Sequence, residues 1–264
     1  MMDLKNITAQ VNLLITEVAQ YIQAESKKLE TLEIEKKGLN NFVTKVDKRA
    51  EIKIVEGLKK ILPRAGFLTE EGTIVQDKRL KWIVDPLDGT TNFLQAIPFY
   101  SVSIALMDGE ELVVGVVYEV VRQECFSAYK NGGAFLNGKK ISVADKENLQ
   151  DAFLATGFPY EFFEKLPQYM KTLAYFMANS RGIRRLGSAA LDLVYVACGR
   201  FDGFWEYNLN AWDVAAGALI VKEAGGELTD FKGGNDFVFG KSILASNAKV
   251  HKELLSGVEG FVLE

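Results

Sequence analysis

Histidine is nearly absent: among 264 residues there is one, His251. A Ser-His-Asp triad, a Cys-His pair or a histidine-based zinc site would each have to be built on that single residue. Its setting, Asn247-Ala248-Lys249-Val250-His251-Lys252-Glu253, reads as an exposed helical turn. Any catalysis therefore falls to carboxylates, hydroxyls and metal. Cysteine is almost as scarce. Cys125 and Cys198 form no C-x-x-C pair, which predicts two reduced, mostly buried thiols. No apolar run approaches the roughly 18 residues of a membrane span, and the opening M-M-D-L-K-N-I-T lacks the apolar block of a signal peptide. Together these absences predict a soluble, cytoplasmic protein without a membrane partner. Basic charge is not in excess either: the formal net charge is −4, with both signs interspersed, which argues against a nucleic-acid partner. An anionic substrate would need a local cation to offset that balance.

With 48% hydrophobic residues, the chain has enough apolar material for one large core or two fused halves. Leu4, Ile7, Val11, Leu14, Val18, Tyr21, Leu29 and Leu32 recur at three- and four-residue steps and predict a long amphipathic helix over 4–32. A second helix is expected over Asp47–Leu62, stopped by Pro63. Tyr100–Met107 and Leu112–Val121 are rich in valine and isoleucine and flank Asp108-Gly109, which predicts a hairpin. Glu124–Tyr129 reads as a further strand. Helices on an antiparallel sheet are therefore expected up to residue 148. From 149 to 264 strands alternate with helices: strands at Ala152–Thr156, Gly182–Leu186, Phe201–Glu206, Glu227–Phe231 and Ile243–Ser246, helices at Phe162–Met177, Ala189–Cys198 and Trp212–Ala224. That alternation favours a more mixed or parallel second sheet. No Pro-, Gly- or Ser-rich linker divides the two halves, so they are expected to pack tightly together.

One stretch concentrates polar chemistry: Trp82–Phe93, W-I-V-D-P-L-D-G-T-T-N-F. Asp85 precedes a proline and is biased toward extended backbone at a strand end. Asp88 returns a carboxylate three residues later, and the Leu87 carbonyl lies between them. Two carboxylates and a carbonyl are hard oxygen ligands suited to Mg²⁺, and a cation would relieve the repulsion between the acids. Gly89-Thr90-Thr91-Asn92 can start a helix whose free N–H groups suit a phosphate. Taken alone, the same residues are equally an Asp-capped turn. Other candidate acids are individually ambiguous. Glu70-Glu71 in F-L-T-E-E-G reads as a loop, Asp213 in W-D-V-A-A-G as a helix start, and Asp47 in V-T-K-V-D as an N-cap.

Together these segments resemble the inositol monophosphatase family, within the magnesium-dependent, lithium-sensitive sugar-phosphate phosphatases. W-I-V-D-P-L-D-G-T-T-N-F and W-D-V-A-A-G-A-L-I-V-K-E-A-G-G are similar to its two signatures. F-L-T-E-E-G and V-T-K-V-D are similar to its upstream acidic segments, and G-S-A-A-L-D-L and F-W-E to its substrate-side elements. The resemblance runs in order from about residue 38 to 247. It implies an α+β fold, a layered αβαβα sandwich with an antiparallel first sheet and a mixed second one, and a homodimer. It implies two to three Mg²⁺ ions held by Glu70, Asp85, the Leu87 carbonyl, Asp88 and Asp213, with Asp85 bridging two of them. Thr90, hydrogen-bonded to Asp47, is implied to activate water together with Glu70. Gly89 and Thr90 N–H groups are implied to hold the phosphate, and Gly187, Ser188, Ala189, Glu206 and Asp213 to meet substrate. A loop near Lys36 and Lys37, within 34–41, is implied to complete the metal site. The implied substrate is myo-inositol 1-phosphate or a similar small polyol or sugar phosphate. Fructose 1,6-bisphosphate is the alternative, with Arg184 and Arg185 as a second-phosphate contact, or else as a surface or interface pair. Thr91-Asn92 disfavours a 3′-phosphoadenosine 5′-phosphate phosphatase. A regulatory binding protein on the same fold is the non-enzyme alternative; a decayed site, however, would have lost one of Glu70, Asp85, Asp88, Thr90 or Asp213.

Overall fold

The computed structural model describes residues 2–28, 34–38, 41–72, 78–159 and 165–263, with backbone alone for 34–38, 41–44 and 260–263. Helix α1 (Leu4–Ser26) is capped by Asp3, whose side chain accepts from Asn6 N, and it buries Ile7, Val11, Ile15, Val18 and Ile22. The expected extension of this helix toward residue 32 runs into residues 29–33, outside the described ones. The segment carrying Lys36 and Lys37 is a hairpin of β1 (Ile34–Gly38) and β2 (Asn41–Thr44), and its side chains likewise lie outside the description. Helix α2 (Lys45–Ile61) follows.

The first sheet runs in the order β3 (Gly66–Thr69), β4 (Leu80–Asp88), β5 (Ser101–Asp108), β6 (Glu111–Glu119), β7 (Glu124–Tyr129), β8 (Gly133–Leu136), β9 (Lys139–Ile141). A short helix, α3 (Thr90–Leu94), stands between β4 and β5. Pairing is antiparallel from β4 onward, as expected, but β3 lies parallel to β4 at the edge. Residues 70–79 link β3 and β4, long enough to carry the chain back and set the two strands side by side in the same direction. The second half supplies β10 (Phe153–Thr156), α4 (Leu166–Asn179), β11 (Gly182–Arg184), α5 (Ala189–Ala197), β12 (Gly203–Tyr207), α6 (Ala211–Glu223), β13 (Glu227–Thr229), β14 (Ser242–Ser246) and α7 (His251–Leu263). Its sheet, ordered β11-β10-β12-β14-β13, is parallel around β10 and antiparallel around β14.

Strand alternation stacks these elements into layers. Trp82, Val84, Val102, Ile104 and Val116 face α1 and α2, whereas Ile83, Ala105, Met107, Val117 and Phe126 face α5 and α6. In the second sheet Ala155, Phe204, Ile243 and Ala245 face the same two helices, and Leu154, Trp205 and Leu244 turn to α4 and α7. The result is αβαβα. Helices α5 and α6 are apolar nearly all round because both their faces meet a sheet. Helix α7 also corrects the reading of His251, which is 3% exposed. Its Nε2 lies 3.1 Å from Thr229 Oγ1 and its Nδ1 2.9 Å from Ser246 Oγ, so the ring ties α7 to β13 and β14. The charged neighbours that suggested exposure, Lys252 and Glu253, point outward from the first turn of the helix.

Candidate active site

The two aspartates of β4 are brought together by a fault in the sheet. Residues three apart on a regular strand point to opposite faces. Here Asp85 pairs with Ser103 and Asp88 with Ser101, so β4 uses one more residue than β5 across this interval. That bulge, at Pro86-Leu87, turns Asp88 to the same side as Asp85. Pro86 has no N–H to lose from the ladder. Gly89 then adopts φ +92°, which only glycine takes without strain, and α3 begins.

Distant elements close around this turn. The cavity is lined by Glu70, Asp85, Leu87, Asp88, Gly89, Thr90, Arg185, Gly187, Ser188, Ala189, Glu206 and Asp213, among others. Thr90 Oγ1 lies 3.0 Å from Asp47 Oδ1 and 2.9 Å from the Leu87 carbonyl oxygen, linking α2 to α3. Asp47 is buried in the first turn of α2. Asp213 sits in the first turn of α6, and its Oδ2 accepts from Asn210 N at 2.7 Å in a capping box. Asp88 Oδ2 accepts from Ser188 Oγ at 2.5 Å and from Ala190 N at 2.8 Å. Asp85 Oδ1 accepts from Leu87 N at 2.9 Å. Of the two glutamates closing β3, Glu70 lines the cavity; Glu71 donates its backbone N–H to Glu51 Oε2 at 2.8 Å.

The arginine pair splits. Both are exposed, but Arg185 lines the cavity, with its guanidinium 5.5 Å from the centre of the Phe158 ring, whereas Arg184 lies 4.7 Å over Phe153 and does not line it. Residues 160–164 of the neighbouring loop are outside the described ones. Three contributors were missed by the sequence reading. Glu51 holds Thr69 Oγ1 at 3.0 Å and Glu71 N, bracketing Glu70. Asn92 donates to the Phe99 carbonyl at 2.7 Å and the Leu186 carbonyl at 2.8 Å, tying α3 to the turn before α5. Gly157 borders Glu206. Asn92 stood inside the quoted motif; Glu51 is one of several acids on α2 and nothing in the sequence sets it apart.

The electrostatics are those of like charges crowded together. Asp85 is pushed well above the usual carboxylate range by burial, then by Glu70, Asp88 and Asp213. Burial lifts Asp88 to about 6 against the hydrogen bonds from Ser188 and Ala190, and lifts Asp213 to about 7 with Asp88 adding to it. Burial raises Glu206 to about 8 despite Arg185. Of the neighbouring acids, Glu70 contributes most to raising Asp85. Among the described residues no three His, Cys, Asp or Glu side chains form a preassembled metal cage. The donor set nevertheless fits a hard divalent cation. It consists of carboxylates and one carbonyl, each aspartate is pinned through one oxygen by a protein donor, and positive charge at the centre would relieve the repulsion among the acids.

The comparisons agree with this geometry. The profile described as the inositol monophosphatase family matches residues 3–259. An inositol-1-monophosphatase of Caulobacter vibrioides is 48% identical over 85% of this chain and 90% of its own. A Nus factor SuhB of Pseudomonas aeruginosa is 41% identical over 88% of each. Among solved structures, the extragenic suppressor protein suhB of Bartonella henselae superposes with a TM-score of 0.91 at 40% identity, covering 98% of this chain and 99% of that one. The Thermotoga maritima IMPase gives 0.87 at 34% identity, covering 96% of each. With a family match across nearly its whole length and relatives this similar, the chain belongs to the inositol monophosphatase family.

Proposed function

We propose that this protein is a Mg²⁺-dependent phosphomonoesterase that hydrolyses myo-inositol 1-phosphate or a closely similar small polyol or sugar phosphate. The observation that carries the reading is the ring of acids, Glu70, Asp85, Asp88 and Asp213, set beside the Thr90–Asp47 pair in one cavity. Glu70, Asp85, the Leu87 carbonyl, Asp88 and Asp213 would hold the Mg²⁺ ions. When bound, Mg²⁺ lowers the pKa of water and neutralises charge on a phosphoryl group and its leaving oxygen.

The chain's own residues do the rest. Thr90, by directing its hydroxyl hydrogen bond to Asp47, keeps the lone pairs of Oγ1 free to accept a hydrogen bond from the attacking water and so orient it. Glu70, at the same wall, is the carboxylate that takes part in orienting that water. Gly89 and Thr90 present backbone N–H groups at the start of α3 for the phosphate oxygens. Ser188 and Ala190 fix Asp88 through its Oδ2, and the capping box fixes Asp213. Glu206 and the Gly187–Ala189 backbone meet the hydroxyls of the polyol.

The inositol-1-monophosphatase names among the relatives favour inositol 1-phosphate as substrate. Arg185 in the cavity keeps fructose 1,6-bisphosphate as the alternative, since a guanidinium suits a second phosphate. Other relatives are named Nus factor SuhB. The complete acid set supports catalysis in this chain whatever else it binds. Phosphate release should be measured with and without Mg²⁺ on inositol 1-phosphate, fructose 1,6-bisphosphate, a nucleotide bisphosphate and histidinol phosphate. The expected outcome is highest kcat/KM on inositol 1-phosphate, lost with chelator and inhibited by lithium. No Mg²⁺-dependent release from any of them overturns the reading.

A further inference from the structure

Glu206 has an unusual kind of support. It is 6% exposed and lines the cavity, yet its carboxylate accepts no hydrogen bond among the described residues. Its position is instead set by shape. Thr156, the last residue of β10, pairs with Trp205 of β12, so Gly157 runs beside Glu206. A Cβ placed on Gly157 would fall 2.0 Å from Glu206 Cδ and from each carboxylate oxygen. The carboxylate thus fills the space that any other residue at 157 would claim. The backbone at this point is itself anchored. Tyr169, buried on α4, donates its hydroxyl to the Gly157 carbonyl. The same hydroxyl lies 3.0 Å from Thr156 Oγ1, which donates to the Trp205 carbonyl at 2.8 Å.

We infer that Gly157, anchored by Tyr169, is a positioning residue that seats Glu206 and thereby determines the preference for phosphate esters bearing free hydroxyls. The inference rests on the reading that Glu206 meets substrate hydroxyls. Physically, a carboxylate held by packing keeps every lone pair for the ligand, whereas one already hydrogen-bonded to the protein has fewer to offer. A polyol phosphate uses those lone pairs. An aryl phosphate with no hydroxyl does not. Displacing the carboxylate should therefore tax the first and largely spare the second, because a site built to pair a hydroxyl loses discrimination when the partner moves.

The test compares inositol 1-phosphate with p-nitrophenyl phosphate, both with Mg²⁺, across Gly157→Ala, Tyr169→Phe, Glu206→Gln, Glu206→Asp and the double variant Gly157→Ala/Glu206→Asp. The three atoms nearest a methyl at 157 all belong to the far end of the flexible Glu206 side chain, so the protein should fold, with near-parental Tm. The expected result for Gly157→Ala is a loss of kcat/KM on inositol 1-phosphate, carried by KM, that exceeds its loss on p-nitrophenyl phosphate by about tenfold, one strong hydrogen bond's worth. Glu206→Asp withdraws the carboxylate by one methylene and should partly restore inositol 1-phosphate turnover in the Gly157→Ala background while impairing the parent. Tyr169→Phe adds no atom and should shift selectivity the same way by a smaller factor; it carries the test if Gly157→Ala is unstable. Equal losses on both substrates, or none, in Gly157→Ala or in Tyr169→Phe, while Glu206→Gln is selectively impaired, overturn the positioning role alone. A Glu206→Gln variant with parental selectivity overturns the hydroxyl-binding reading itself, and the inference with it.

Discussion

Two groups of buried acids in this molecule are treated in opposite ways by their surroundings. At the cavity, burial raises Asp85, Asp88, Asp213 and Glu206, neighbouring acids raise Asp85, Asp213 and Glu206 further, and Arg185 and Lys241 are the nearby cations. Glu119 and Glu124, two and three strands from Asp88 along the same cross-strand row of the first sheet, sit beside Arg122 and Arg200. Arg200 forks both its terminal nitrogens onto Glu124, at 2.6 and 2.7 Å, and holds it below the usual carboxylate range. Glu119, 0% exposed, accepts from the Tyr195 hydroxyl at 2.9 Å and has Arg122 Nε 3.9 Å from its other oxygen. Burial still lifts it to about 7. At this second group Glu124 is thus paired by the chain's own Arg200. Among the described residues, Arg185 and Lys241 offset the acids of the cavity only in part. The chain builds an Arg–Glu fork at one place and leaves four acids crowded at another, where an external cation would be stabilised.

This contrast breaks most sharply at Asp88. Asp88→Asn keeps an oxygen for Ser188 and Ala190 but removes one negative charge. Turnover should fall by on the order of 10³-fold, several kcal/mol of transition-state stabilisation. Thermal stability without divalent cation should hold or rise, because a repulsion has been relieved. Steady-state kinetics and melting scans check both, and near-parental turnover would remove Asp88 from the metal site. At the Arg200–Glu124 pair the opposite pattern is expected. Arg200→Ala strands Glu124 and should cost about 2 kcal/mol in urea unfolding, below the range for a fully buried pair because the Arg200 side chain is 30% exposed. The kcat of the folded protein should not change.

His251 gives the smallest effect and the uncharged limit of the comparison. Burial depresses its pKa below 6.5, so the unfolded chain takes up a proton first as the pH drops. Its contribution to stability is complete above about 6.5 and is lost as pH falls through the folded-state value. Urea midpoints measured from pH 7.5 to 5 should show this decline, and His251→Gln should flatten it. A parental slope in that variant assigns the decline to the carboxylates instead.

Local pattern made much of this legible. The helices were placed within a few residues where apolar spacing was regular, and β5–β6 announced itself through valine-rich runs around Asp108-Gly109. The site residues were legible only as a resemblance, because Asp85-Pro86-Leu87-Asp88 alone is equally a turn. Some features had no local signature. Helix α7 begins at the His251 mistaken for a surface residue, since burial there is decided by β13 and β14 and not by Lys252 and Glu253. The parallel edge strand β3 depends on where the chain returns after residues 70–79.

The sequence by itself determined which groups exist: hard oxygen ligands, a threonine, no usable histidine, and a glycine at 89 where only glycine takes a positive φ. Tertiary structure decided which of them meet. The bulge in β4 put Asp85 and Asp88 on one face, against the alternation their spacing dictates. Packing of α2 and α6 on opposite faces of the first sheet brought Asp47 to Thr90 and Asp213 to the same cavity. Arg185, just past β11, lines the cavity while remaining exposed, and Arg184 lies over Phe153 away from it. Residue chemistry is local, whereas convergence of groups more than a hundred positions apart is a property of how sheets and helices stack, and only the assembled layers specify it.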